Sequence, residues 1–325
     1  MTLFRYARPG DAAEAFARGQ TPDALFIAGG TDLLQLVQER VTRPAEVIDL
    51  AEVLDAEIAA DAGGVRIGAG ARLAEVAAHP LISGHYPAVA EALLATASPQ
   101  VRNLATAGGN LLQRTRCLYF RDVATACNKR DPGSGCSALE GQNRINAIFG
   151  GSAHCIAVQP SDFAVALVAC DAELDLAGPD GPRRVALADF HRLPGETPQV
   201  ETVLAPGELI AAIHLPAECA ERRSRYLKVR DRASFEWAVC SVAVSLGMDG
   251  ETVRDLRVVA GGVATKPWRL THVEAALRGR PLSEAVITAA AGLAVEGAEL
   301  REHNAFKAPM LAGAVRKVLR EFARA

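Results

Sequence analysis

The sequence predicts a mixed fold of helices and strands in two domains. Its 325 residues suit about two domains at roughly 150 residues each. Short strand-like and helical segments alternate through the first part of the chain, which indicates an α/β or α+β layer architecture. A charged stretch at 216–225 separates this part from three strand-like segments and three helical ones, so we expect a domain boundary there.

The first domain begins with a predicted helix at 11–18, which Asp11 would cap. Short apolar runs indicate its strands, and apolar residues at helical spacing indicate its further helices. We expect strands at 24–28, 46–50, 65–67, 172–176 and 208–215, and helices at 31–41, 72–78 and 88–97. Another regular segment occupies 162–168.

The second domain is predicted to be a three-stranded antiparallel sheet backed by helices. Asp249 and Gly250 form a hairpin turn signal between its second and third strands. We expect strands at 226–229, 237–246 and 252–259, and helices at 268–277, 283–300 and 305–323.

Composition narrows the classes of function. The net charge is −3 without a basic block, and aromatic residues make up 5% of the chain, which argues against a nucleic-acid partner. The longest apolar run, at 163–170, is far shorter than the roughly 20 residues of a membrane span. Charges interrupt the first 19 residues, so we expect no signal peptide and a cytoplasmic chain. A signal-bearing partner could still carry a folded complex to the periplasm.

Two glycine pairs stand at predicted strand-to-helix turns, in the segments 28–32 and 106–110. Glycine there lets backbone N–H groups approach a phosphate closely. Two ordinary tight turns would give the same pattern. Neither segment has the spacing of a nicotinamide-binding fingerprint or of a phosphate-binding loop with lysine.

Four of the seven cysteines lie in the irregular stretch 116–160, with the spacing C-x9-C-x8-C-x18-C. They are Cys117, Cys127, Cys136 and Cys155. The spacing matches no common zinc or ferredoxin motif. A metal or iron–sulfur cluster would supply the core that such a loop lacks, and disulfides or free thiols are the alternatives.

The order of the motifs resembles a known family over the whole chain. FIAGGTDLL (26–34), ATAGGN (105–110), PSDFAVALVACDAEL (160–174) and YLKVRDRASFEWAVCSVAV (226–244) follow one another. This is similar to the FAD-binding medium subunit of molybdenum hydroxylases, the xanthine dehydrogenase and aldehyde oxidoreductase family. The resemblance implies an α+β chain: a p-cresol-methylhydroxylase-type FAD-binding domain at 1–220, then a CO-dehydrogenase-flavoprotein-type domain at 221–325.

The resemblance also implies the cofactor-binding residues. The backbone of 28–32 would hold the pyrophosphate of FAD, and the second loop would approach the diphosphate and the flavin. Asp162 would hydrogen-bond the cofactor, Ile210 would pack against it, and Lys228 would lie near the flavin and stabilise its reduced form. The full set is Phe26, Ile27, Ala28, Gly29, Gly30, Thr31, Asp32, Leu33, Leu34, Thr106, Gly108, Gly109, Asn110, Asp162, Ile210 and Lys228. No catalytic residue is expected.

The cysteine stretch, at about 114–158, resembles an insert in two subfamilies that hold an additional four-iron four-sulfur cluster. One is the flavin subunit of 4-hydroxybenzoyl-CoA reductase, and the other, which it resembles more, is that of periplasmic-type aldehyde oxidoreductases. The resemblance implies that the four cysteines ligate one [4Fe–4S] cluster. Its redox or structural role stays open.

The implied function is electron transfer inside a complex. FAD would take electrons from a small subunit with [2Fe–2S] clusters, while a large subunit with molybdenum cofactor oxidises an aldehyde. The acceptor would be a ferredoxin, cytochrome or quinone rather than NAD. The alternatives are a 4-hydroxybenzoyl-CoA reductase-like enzyme and a non-redox scaffold that binds zinc.

Overall fold

The computed structural model describes residues 3–324. Its first part alternates short strands with short helices, as predicted. In chain order these elements are β1 (Arg5–Ala7), α1 (Ala12–Gly19), β2 (Ala24–Ile27), α2 (Leu33–Gln38), β3 (Glu46–Asp49), β4 (Ile58–Asp61), β5 (Gly64–Gly68), α3 (Leu73–Ala78), α4 (Pro80–His85), α5 (Pro87–Ala95), α6 (Pro99–Arg102) and α7 (Ala107–Leu111). The Asp11 side chain accepts a hydrogen bond from the Glu14 backbone N–H at 2.9 Å, which confirms the predicted cap of α1.

The remaining elements include the strands and helices predicted for the second half, apart from two helices that differ. They are α8 (Leu118–Arg121), α9 (Asp162–Ala169), β6 (Glu173–Ala177), β7 (Arg183–Ala186), α10 (Leu187–Phe190), β8 (Leu209–Pro216), α11 (Ala217–Ala220), β9 (Arg223–Val229), β10 (Cys240–Asp249), β11 (Thr252–Gly261), β12 (Trp268–Arg269), α12 (Thr271–Leu277), α13 (Glu284–Gly292), a 3-10 turn (Leu293–Val295) and α14 (Lys307–Arg324).

Two predicted helices differ from the structure. The helix expected at 268–277 begins with a strand, because Trp268 pairs with Ala260 of β11 and its ring stacks on Phe149. The helix expected at 283–300 ends by 295. Gly297 follows with a φ of +77°, which lies in the left-handed region and cannot continue a helix.

The strands form three sheets. A parallel sheet has the order β1-β3-β2, and two antiparallel sheets have the orders β4-β5-β8-β6-β7 and β12-β11-β10-β9. The third contains the three antiparallel strands predicted for the second domain, together with the short strand β12. The central strand β8 pairs with β5, which precedes the cysteine stretch in the sequence, and with β6, which follows it. The cysteine stretch is therefore an insertion between strands of the same sheet.

Helices α5 and α9 connect the two antiparallel sheets through one core. Phe163 of α9 is buried together with Ile213 of β8 and Ala243 of β10. The neighbours of Ala243 in β10, Val242 and Val244, point to the opposite face and pack with α14, as the two-residue period of a strand requires. No helix in the range 3–324 is long and apolar enough to cross a bilayer.

Candidate functional site

A cleft of about 370 Å³ brings the predicted cofactor residues together from distant parts of the chain. That volume lies within the range of ligand pockets, about 300–1,000 Å³. The predicted residues that line it are Phe26, Ile27, Ala28, Gly29, Gly30, Thr31, Asp32, Leu33, Thr106, Gly108, Gly109, Asn110, Asp162, Ile210 and Lys228. Leu34 does not line the cleft, and its side chain is 46% exposed.

The two glycine loops lie directly against each other in this cleft. A Cβ on Gly29 would stand 2.1 Å from the carbonyl oxygen of Leu104, at the start of the second loop. Gly30 has a φ of +70°, a conformation that side chains disfavour. The absence of a side chain at Gly29 therefore allows the two loops to pack closely against each other.

Polar side chains fix the second loop to helix α9. The Thr106 hydroxyl caps α7 by accepting from the Gly109 N–H at 3.2 Å. The Ser161 hydroxyl, which caps α9, donates to the Asn110 side-chain oxygen at 2.6 Å. Both Asn110 and Ser161 are buried. The asparagine of the second glycine motif therefore sets the position of the loop relative to Asp162.

A buried ion pair lies in the cleft wall. The Lys228 ammonium group contacts the Asp162 carboxylate at 2.7 Å, and the two side chains are 3% and 4% exposed. Tyr226 also donates to this carboxylate at 2.5 Å, and the Thr96 hydroxyl, which lies 2.8 Å from the Ala92 carbonyl oxygen, lies 3.2 Å from it. Burial and the charge of Asp162 raise the pKa of Tyr226 well above its usual value, so its hydroxyl stays a donor. The carboxylate offsets much of the Lys228 charge, and this weakens the electrostatic effect expected of that lysine on a flavin.

Asp32 connects the first glycine loop to the cysteine insert. Its carboxylate contacts the guanidinium groups of Arg116 and Arg121 at 2.7 and 2.9 Å. It also accepts from the backbone N–H of Arg114 at 2.7 Å. The resemblance implied a role only for the backbone of Asp32, whereas in the structure its side chain also binds residues of the insert. The two arginines flank Cys117, so Asp32 holds the cysteine insert against the cleft.

Sequence reasoning did not identify two of the aromatic residues of this cleft. Phe235 and Trp237 line it from the segment between β9 and β10 and are 48% and 39% exposed. The guanidinium group of Arg116 lies 4.6 Å from the centre of the Trp237 ring, a cation–π distance. In the sequence these two aromatic residues stand within a charged stretch, and that pattern could have identified them.

The four predicted cysteines line one small pocket inside the insert. Cys127 and Cys136 face each other across an isolated β-bridge. Cys117, Cys127 and Cys155 are buried, Cys136 is half-buried, and all are free thiols. The other three cysteines lie outside this pocket, in the cores of the two antiparallel sheets. The insert thus has a thiol-lined centre in place of regular secondary structure.

The environment of the thiols bears on which metal group would fit. Burial raises the pKa of Cys155 to about 11, so only a strong cationic group would convert it to the thiolate that metals bind. Within residues 3–324 no group of three or more His, Cys, Asp or Glu side chains is arranged to hold a single metal ion. In a four-iron cluster each thiolate binds a different iron, so its ligands stand further apart than around one ion. Four thiols around one pocket fit that donor set.

Comparison with known proteins identifies the family. Residues 2–218 match the family described as FAD binding domain in molybdopterin dehydrogenase, and residues 225–322 match the CO dehydrogenase flavoprotein C-terminal domain. The chain belongs to the FAD-binding medium subunits of the molybdenum hydroxylases. It is therefore an oxidoreductase subunit of an FAD-binding family.

Individual relatives of this medium subunit cover most of the chain. It is 49% identical over 280 residues to the aldehyde oxidoreductase FAD-binding subunit PaoB of Escherichia coli (strain K12), which covers 85% of this chain and 86% of that protein. A solved carbon monoxide dehydrogenase from Hydrogenophaga pseudoflava is 26% identical, with a TM-score of 0.75 over 97% of this chain and 95% of that one. Quinoline 2-oxidoreductase from Pseudomonas putida 86 is 22% identical with a TM-score of 0.75, over 99% and 97%, and shares the fold.

Proposed function

We propose that this chain is the electron-transfer subunit of a molybdenum-dependent aldehyde oxidoreductase. The observation that carries the substrate class is the 49% identity to an aldehyde oxidoreductase FAD-binding subunit. Identities to the carbon monoxide and nicotinate dehydrogenase subunits are 26–27%. In this proposal electrons arrive from a small subunit with [2Fe–2S] clusters, and a large subunit with molybdenum cofactor oxidises the aldehyde.

Different residues of the cleft would hold different parts of FAD. The backbone of the first glycine loop would bind the pyrophosphate, the second loop would approach the diphosphate and the flavin, and Ile210 would pack on the cofactor. The Asp162–Lys228 pair would orient the flavin by hydrogen bonds, and Trp237 would cover the cleft against water. Bound FAD would supply the chemistry that accepts electrons and releases them to an acceptor.

We further propose that Cys117, Cys127, Cys136 and Cys155 ligate one [4Fe–4S] cluster. The four cysteines line one pocket, which supports this assignment. The N–H group of Ala157 lies 3.4 Å from the Cys155 sulfur, and iron–sulfur sites use such N–H donors. A zinc scaffold would need donors gathered around one ion, and the described residues show no such group.

The proposal extends to the acceptor, the domain limits and the compartment. The cysteine insert borders the FAD cleft through Asp32, so a cluster there would favour a ferredoxin, cytochrome or quinone over NAD as acceptor.

The family matches end at 218 and begin again at 225, which supports domains at 1–220 and 221–325. Cell fractionation would test whether a signal-bearing partner exports the complex to the periplasm.

The test is cofactor analysis of the purified complex, before and after Cys136→Ser. Iron, acid-labile sulfide and flavin are measured anaerobically, and aldehyde-dependent reduction of a dye is followed. Cys170→Ala serves as the matched control, because this thiol is buried outside the pocket. We expect one FAD per chain, and a loss of about four irons in Cys136→Ser but not in Cys170→Ala.

Other outcomes would contradict separate parts of the proposal. Equal iron in both variants would remove the cluster assignment and leave a flavin subunit. Stoichiometric zinc would favour the scaffold. A complex that oxidises no aldehyde, but reduces an aromatic acyl-CoA with a low-potential donor, would overturn the substrate class.

A further inference from the structure

The side-chain amide of Asn146 contacts one of the four cysteines directly. Asn146 is 1% exposed, and its Nδ2 donates to the Cys117 sulfur at 3.5 Å. The same Nδ2 donates to the carbonyl oxygen of Ile156 at 3.3 Å. That carbonyl fixes the orientation of the amide, because the reversed orientation would bring two oxygens together.

The backbone of Asn146 is held by a buried lysine from another part of the fold. Lys307, the first residue of α14, is fully buried. Its ammonium group donates to the carbonyl of Asn146 at 2.9 Å and to that of Gly262 at 2.7 Å. Next to it, the Asn304 side chain donates to the Ala147 carbonyl at 3.1 Å. The C-terminal domain therefore sets where the Asn146 amide points.

An N–H group aimed at a ligand sulfur has a defined electrostatic effect. Reduction adds one electron to a cluster, and part of the added negative charge resides on the thiolate sulfurs. A hydrogen bond to such a sulfur stabilises the reduced form more than the oxidised one and raises the reduction potential. In a buried, low-dielectric setting the effect is strengthened.

We propose that Asn146 is a positioning residue that raises the reduction potential of the cluster through its hydrogen bond to Cys117, with Lys307 as its support. This inference rests on the proposed [4Fe–4S] cluster. It assigns to Asn146 a control over how readily the cluster draws electrons from the flavin. The C-terminal domain thereby contributes to the redox site although it supplies no cysteine to it.

The test is an anaerobic redox titration of the whole complex with dithionite, in which electron paramagnetic resonance follows the cluster and absorbance follows the flavin. The variant is Asn146→Ala. Asn143→Ala is the matched control, because Asn143 is 2% exposed in the same segment and bonds Ala138 and His303 but no sulfur. Iron and sulfide are counted first in every sample.

We expect Asn146→Ala to keep its iron and to show a lower cluster potential, with the flavin potential and the Asn143→Ala cluster unchanged. Full iron with an unchanged potential would overturn the inference. A wild-type complex that holds no more iron than the Cys136→Ser complex would overturn the cluster assignment, so the two failures are distinct. If Asn146→Ala loses iron, Asn146→Leu, which keeps a similar side-chain volume but has no N–H donor, is titrated. A lowered potential there supports the inference, and an unchanged potential or lost iron rejects it.

Discussion

Removal of Lys228 tests whether the cleft wall contains a truly desolvated ion pair. With Lys228→Met, the Asp162 carboxylate loses its cation while it stays 4% exposed. Breaking a buried pair from one side costs about 3–5 kcal/mol. Tyr226 still donates to the carboxylate, which places the expected loss near the lower end, at about 3 kcal/mol. The destabilisation therefore comes from the charge that remains, not from the side chain that is removed.

The measurement is urea unfolding of FAD-stripped complex, followed by tryptophan fluorescence, because Trp237 lines the same cleft. The double variant Lys228→Met with Asp162→Asn is the control, because it removes both charges and should recover most of the stability. A single variant within about 1 kcal/mol of wild type would show that water screens the pair. A double variant as unstable as the single one would show that packing, rather than the unpaired charge, causes the loss.

Two further predictions concern the glycine loop and acid stability. Gly29→Ala places a Cβ 2.1 Å from the Leu104 carbonyl oxygen. Relief of this overpacking costs about 1–3 kcal/mol, and we expect FAD affinity to fall about tenfold or more. In titrations of FAD-stripped complex, Gly84→Ala, which meets no atom within 4 Å, should bind FAD as wild type does. Burial lowers the pKa of His191 to about 4, whereas the pKa in the unfolded chain is about 6.5. As the pH falls from 6.5 to 4, the unfolded chain binds a proton that the folded chain does not, and the free energy of unfolding falls by about 3 kcal/mol in total. Urea midpoints against pH should fall less steeply in His191→Gln, and an equal slope would contradict this origin.

Much of the fold could be predicted because its signals are local. The cap of α1, the strand before Gly29 and the hairpin at Asp249 depend on residues a few positions apart. One misjudged element depends on contacts from elsewhere. Trp268 is in a strand because Ala260 pairs with it and Phe149 stacks on it, and neither neighbour is visible in the residues around Trp268.

The sequence by itself determined which groups the protein can present: two glycine turns, an aspartate and a lysine in known motifs, and four thiols in one insert. These properties follow from residue type and spacing along the chain. The tertiary structure decided how the groups act on one another. It placed the Gly29 loop on Leu104, paired Lys228 with Asp162, joined Asp32 to the insert, and aimed Asn146 at Cys117. Such contacts join residues that are far apart in sequence, and only the packing of the complete core fixes their distance and burial.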